Sequence, residues 1–290
     1  MTAIHSMTGF AAANVDLGHA VLSLEIKSVN SRFLDIGFRL GDDLRALEMP
    51  LRERIAARVG RGKVECRGYV QSQSPGARER MPNAEQMAAL GRIDALVRAT
   101  LPSAAPLSVA EILRWPGVLA EDAVSTEDIQ AAALGLFSSM LDEFIASRAR
   151  EGEKLATVLR ECTRKMREQV AIAGPLVPLA IAAYQDRLAT KLREAVANLD
   201  EDRIRQEVGV FAAKIDVAEE IAWLVTHLDE VDRVISKGGP VGKRLDFLMQ
   251  ELGREANTLA SKSVSAEVTG IAMELKLLIE QLREQVQNLE

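Results

Sequence analysis

Aromatic side chains are scarce in this sequence, 4% of 290 residues. Leu, Ala, Val and Ile must then supply most of the core, chiefly on packed helices. Cysteine is nearly absent as well. Cys66 and Cys162 stand alone, far apart and outside any paired spacing, which excludes a disulfide scaffold and fits a reducing, cytoplasmic compartment. No run approaches the roughly 18 consecutive apolar residues of a membrane span, so no membrane partner is expected. The first ten residues, MTAIHSMTGF, lack the basic-then-apolar order of a secretory signal. Repeats and low-complexity tracts are missing. So are a Gly-x-Gly-x-x-Gly fingerprint, a Cys/His zinc spacing and a Gly-x-Ser-x-Gly elbow. Gly238-Gly239-Pro240-Val241-Gly242-Lys243 has glycines and a lysine but not the Walker spacing.

What is present is an ordinary globular composition, 48% hydrophobic and 27% charged, with net charge −6. That balance argues against a surface that binds nucleic acid everywhere. A local basic groove, or an acidic site that recruits a divalent cation, remains compatible with it. The length allows one large or two modest domains with a core needing no staples.

Alternation of apolar and polar residues predicts strands over 3–16, 20–30, 33–40 and 63–73. Leu44, Leu47, Leu51, Ile55 and Val59 have helical spacing. Ser74-Pro75-Gly76 closes the last strand. Pro82-Asn83 then opens a helix to about residue 99, and Ser108 with Glu111 forms a capping box. The order β-β-β-α-β-α predicts an α+β fold, with an open-sheet N-terminal domain over 1–122. Ser125 starts a long helical region over 123–202, a stalk or oligomerisation element. It reads as one very long helix or two hinged near Gly152, broken by Pro175 and Pro178 and followed by a second through Leu188, Leu192 and Val196. Residues 203–290 form a helical domain of three amphipathic segments, at 203–236, 240–260 and 264–289.

Candidate chemistry concentrates in that last domain. On one helix, Asp216, Glu220, His227 and Glu230 fall within about 80° of one another, with Glu219 at the edge. Carboxylates hold hard divalent cations such as Mg²⁺ or Mn²⁺. Histidine exchanges protons near neutrality. The plainer reading is a solvated acidic face. In the next segment Asp246 lies on one side of the apolar stripe and Glu251 and Glu255 on the other. Asp246 and Glu251 are about 140° apart around the axis, so this helix alone cannot place both on one ligand and a facing helix would have to complete the site. Arg254 reads as exposed. Asn257 flanks the apolar stripe and, if half-buried, needs partners. Arg32, Arg61 and Lys63 flank turns in the first domain, and Lys243, Arg244 and Lys262 sit at helix junctions. Each alone is a surface cation; together they are a set able to contact phosphates.

Several stretches resemble a known family. Ser6-Met7-Thr8-Gly9-Phe10, Ser28-Val29-Asn30-Ser31-Arg32-Phe33-Leu34-Asp35, Arg61-Gly62-Lys63-Val64, Leu113-Arg114-Trp115-Pro116-Gly117-Val118-Leu119 and Arg150-Glu151-Gly152 are similar to the YicC-like proteins of bacteria. So are Lys214–Glu220, His227, the run from Gly239 to Ser263, and Ile279–Asn288. The resemblance spans essentially the whole chain in order. One departure is Gly253, where a bulkier residue is expected.

The resemblance implies an endoribonuclease that cuts single-stranded or structured RNA with divalent-metal assistance and assembles as a homo-oligomer, a hexamer, with other RNA-degradation proteins as expected partners. It carries over no settled catalytic set. The residues nominate His227, Glu220, Glu251, Arg254 and Asn257 for catalysis. Asp216, Glu219, Glu220, Asp246, Glu251 and Glu255 are nominated for Mn²⁺ or Mg²⁺, and the six cations above for RNA. A non-catalytic oligomeric RNA-binding adaptor is the rival.

Overall fold

A computed structural model describes residues 2–72, 81–119, 125–195 and 200–290. The turn expected at 74–76 and the position of Val196 lie outside them. The fold is α+β. Strands β1 (Gly9–Asp16), β2 (Ala20–Val29), β3 (Leu34–Leu40) and β4 (Gly62–Ser72) form an open sheet in the order β1-β2-β4-β3. β1–β2 and β2–β4 are antiparallel, and β3 runs parallel to β4. In β2 the alternation is strict: Leu22, Leu24 and Ile26 turn inward and Ser23 and Glu25 outward, as the two-residue period of a strand requires.

A 3₁₀ turn over Asp42–Leu47 and helix α1 (Glu48–Ala56) occupy the expected 43–59 stretch. Pro50 falls in the first turn of α1, where no helical carbonyl awaits its missing N–H. Leu44, Leu47, Leu51, Ile55 and Val59 are all buried against the sheet. Asn83 caps α2 (Ala84–Thr100) through the Glu85 and Gln86 amides, at 3.0 and 3.1 Å. The Ser108–Glu111 capping box starts α3 (Val109–Arg114).

The long region departs from expectation. Helix α4 runs unbroken from Thr126 to Ala195, through Gly152, Pro175 and Pro178. An internal proline costs about 3 kcal/mol or more. Both prolines face solvent, where water can serve the carbonyls left without N–H partners, while Val170, Ala173 and Val177 stay buried on the helical core. Tertiary packing thus outweighs the local break. At Gly152, where one long helix and a hinge are both expected, the helix is unbroken. A Cβ there would collide with the Ile4 carbonyl, 2.7 Å from its carbon, and lie 3.0 Å from the His5 Cα. The glycine lets the extended segment before β1 cross α4. In α4 an 18-residue window reaches mean hydropathy 1.3 with 33% of it buried, long and apolar enough to cross a membrane by length and composition alone.

α4 belongs to two cores. Ile129, Ala133, Phe137, Met140, Leu141 and Phe144 pack on the sheet. Ala156, Leu159, Met166 and Val170 pack on α6 (Ala218–Lys237), α7 (Gly242–Lys262) and α8 (Ala266–Val286). Its last turns pair with α5 (Glu201–Ile215), where Arg193 Nε reaches Glu201 at 2.9 Å. The expected single segment 203–236 is therefore two helices, α5 and α6, interrupted at Asp216 and Val217.

The cores are tied where residues 4–7 pass between α4 and the segment after α8. The Ser6 amide donates to the Arg148 carbonyl (3.0 Å), the Met7 amide to that of Asn288 (2.7 Å), and the Glu290 amide to that of His5 (3.0 Å). Arg148 lies under this crossing, fully buried, with Nε on the Ser6 carbonyl at 2.7 Å and Nη2 on Glu290 Oε2 at 2.6 Å.

Candidate functional site between α6 and α7

Helix α6 begins only at Ala218, so Asp216 is not on its face. The Asp216 carboxylate instead accepts from the Ala218 amide at 2.9 Å and fixes the bend between α5 and α6. That use is local, as expected of an aspartate at a helix start. Glu219 is exposed and makes no side-chain hydrogen bond or ion pair among the described residues. Glu220, 8% exposed, is held by Lys262 Nζ at 2.8 Å, and the same ammonium donates to the Asp216 carbonyl at 3.1 Å. Glu220 and Lys262 thus lock the start of α6 to the end of α7. Glu230 is consumed too. Hydrogen bonds from Arg233, reinforced by Arg244, hold its carboxyl down to about 2. Of the residues expected on one α6 face, Asp216, Glu220 and Glu230 are committed to other partners, Glu219 at its edge faces solvent, and His227 is left for chemistry.

His227 does find partners, on the facing helix. One donor atom each from His227, Glu251 and Glu255 lie within 4.8 Å of one another. Glu251 and Glu255 are four apart and share one side of α7. The apolar stripe Leu245, Leu248, Leu252, Ala256 and Leu259, all buried, turns that side toward α6. Glu255 is 5% exposed. Its ion-pair partner is Arg254, whose guanidinium lies 3.4 Å from Glu255 and 3.6 Å from Glu251 while staying 71% exposed. A buried carboxylate with one loose cation carries negative charge that low-dielectric surroundings do not favour. The His227 ring stacks on Trp223, centroids 5.7 Å apart and planes 22° off parallel. Trp223 was not anticipated. It sits four residues before His227, one turn away on the same face.

Asp246 does not join the cluster. It turns to the other side of α7 and accepts from Gln250 at 3.1 Å. Asn257 is exposed rather than half-buried, so it needs no internal partner. The six proposed cations separate as well. Arg244 serves Glu230 and Lys262 serves Glu220, while Lys63 is exposed on β4 and, among the described residues, lines no cavity with the others. Arg32, Arg61 and Lys243 do converge, lining one cavity of about 520 Å³ with Phe33, Asp246 and Arg283.

Gly253 lines a neighbouring cavity on α7, and a Cβ there would meet only Ile279 Cγ2, at 4.0 Å. Nothing forces glycine at this position. Gly253→Ala is therefore expected to raise stability by about 1 kcal/mol through helix propensity, read as a higher urea midpoint. A lower midpoint would show that the helix needs the glycine.

Comparison with known proteins covers nearly the whole chain. Residues 4–157 match the family described as "Endoribonuclease YicC-like, N-terminal region", and residues 174–290 that described as "Endoribonuclease YicC-like, C-terminal". A "Probable endoribonuclease YicC" of Haemophilus influenzae is 39% identical over 289 residues, spanning 99% of this chain and 100% of the relative. One of the same name from Clostridioides difficile is 27% identical over 292 residues, spanning 98% and 99%.

Proposed function

Because the chain belongs to the YicC-like endoribonuclease family, we propose that it is an endoribonuclease whose cutting centre is the His227–Glu251–Glu255 cluster between α6 and α7. The observation that carries this reading is the convergence of an imidazole and two carboxylates within 4.8 Å. Nitrogen and oxygen donors of this kind suit Mn²⁺ or Mg²⁺, and a buried carboxylate with only a loose cationic neighbour is the chemistry a cation relieves. Such an ion, when bound, would activate water and offset charge developing on the scissile phosphate. His227, Glu251 and Glu255 would hold it.

The protein's own groups do the rest. Trp223 fixes the plane of the His227 ring. Arg254, exposed beside the cluster, offers a planar guanidinium to the phosphate oxygens. Glu220 and Lys262 do not react; they set the α6–α7 spacing on which the cluster depends. The same reading puts the protein in the cytoplasm as a homo-oligomer, a hexamer, where exposed Leu179 on α4 and Val210 and Phe211 on α5 supply apolar surface. Sedimentation of the purified protein tests that assembly.

The chemistry is tested on a single-stranded RNA carrying one 2′-deoxynucleotide at the cleaved position. Hydrolysis at the cluster predicts that the purified protein still cuts there, in the presence of Mn²⁺, and that it leaves no cyclic phosphate on the matching all-ribose RNA. A 2′,3′-cyclic phosphate product, or protection by the deoxy substitution, overturns it in favour of attack by the neighbouring 2′-hydroxyl. No cleavage at all leaves the non-catalytic RNA-binding adaptor.

A further inference from the structure

The cavity shared by the sheet domain and the C-terminal helices has no part in the cluster just described, yet its lining is unusual for a protein of net charge −6. Arg32, Arg61, Lys243 and Arg283 surround it, against the single carboxylate of Asp246. Among the described residues Arg32, Arg61 and Lys243 make no ion pair, and Arg283 has only Glu280, at 3.7 Å. Arg61 donates from Nε to the Ser31 carbonyl at 3.0 Å, which braces the loop carrying Arg32 and Phe33. Phe33 is 70% exposed, with the Arg32 guanidinium 5.4 Å from its ring centroid. A large aromatic left in water beside uncompensated cations has no packing purpose. Its pairing with cations is the arrangement that holds single-stranded nucleic acid, where a ring stacks a base and cations follow the backbone.

The cavity also leads somewhere. Arg283 lines both it and the adjoining cavity bounded by Gln250, Arg254 and Asn257. Along α7, Lys243, Asp246, Gln250, Arg254 and Asn257 succeed one another at spacings of three and four, one face of the helix. Arg254 at the crest reaches Glu251 and Glu255 on the far side. From Lys243 to Arg254 the helix rises about 16 Å, on the order of five nucleotides of a stacked strand.

We propose that the Phe33 cavity is an anchoring subsite for single-stranded RNA, in which Phe33 stacks one unpaired base, Arg32, Arg61, Lys243 and Arg283 hold the flanking phosphates, and the strand runs along α7 to Arg254. The proposal rests on the nuclease reading only for the purpose of the strand; the subsite is a binding claim. It selects single strands because a paired base presents no free face to Phe33.

The test is fluorescence anisotropy of the full-length protein with a labelled 2′-O-methyl oligonucleotide in a chelating buffer, which withholds both the 2′-hydroxyl and the divalent cation that cutting could use. Phe33→Ala is expected to weaken binding of the single strand roughly 5- to 150-fold. It should leave unchanged the binding of an abasic strand of equal length and of the corresponding duplex. Lys243→Ala should lower the slope of log affinity against log salt by about 0.7. Phe33 is exposed, so melting of the variant should match that of the parent. Equal affinity of Phe33→Ala and parent for the single strand overturns the subsite, as does an equal loss on the abasic strand. Cleavage is read separately: cutting with no Phe33 effect removes the subsite and keeps the nuclease, whereas a Phe33 effect without cutting removes the nuclease and keeps the subsite.

Discussion

Glu255→Gln is expected to reduce RNA cleavage at least about 10²-fold, the lower range for loss of one positioned catalytic group. The substitution keeps the shape of a side chain that is 5% exposed and removes its charge alone. Loss of activity would then report chemistry, not unfolding. A second readout separates a cation-binding role from a structural one. Without metal, Glu251 and Glu255 repel each other in a partly desolvated place, so the variant should melt no lower than the parent. With Mn²⁺ the parent should melt higher, by about 2.7 kcal/mol of added stability at a hundredfold excess over Kd, and the variant should lose most of that gain. Unaltered cleavage, or an Mn²⁺ shift identical in both, would remove the cluster from the mechanism.

The second large effect is structural. Arg148→Met is expected to destabilise the protein by about 3–5 kcal/mol, the cost of breaking a buried pair from one side. Arg148 is fully enclosed, and its guanidinium serves the Ser6 carbonyl and Glu290 while lying 5.6 Å from the Phe144 ring. One of its nitrogens, Nη1, is buried without a partner, and burial draws the guanidinium below its ordinary range despite Glu290 beside it. Methionine keeps much of the apolar stem but strands a carboxylate that also accepts from the Gly60 amide at 2.6 Å. For a chain of this size the melting temperature should fall on the order of 10 °C. The pair Arg148→Met with Glu290→Gln should recover part of that loss, because no charge is then left uncompensated. A single variant that melts with the parent would mean that water already solvates this crossing.

The local signals in the sequence were read at short range. The capping box at Ser108, the helix starts at Asn83 and Ser125, and the inward alternation of Leu22, Leu24 and Ile26 all appear as the residues dictate, because each rests on partners a few positions away. The signals that failed are those that tertiary packing overrides. Pro175 and Pro178 do not end α4, because surfaces far away in sequence hold both halves of the helix, and of the two readings open at Gly152 the single long helix is the one that forms. At the site, helical geometry placed Asp246 and Glu251 on different sides of α7, so a facing helix was required. It could not tell which acids that helix would spend on its own needs.

By itself, then, the sequence determined the α+β order, the family and the short list of chemical residues, since period, caps and motifs are local properties. Only the tertiary structure decided how the acidic cluster divides. Asp216 went to a helix start, Glu220 to Lys262, Glu230 to two arginines, and His227 to Glu251 and Glu255. The reason is physical: a charged group's role depends on which opposite charge, donor or apolar wall reaches it first, and those come from other helices.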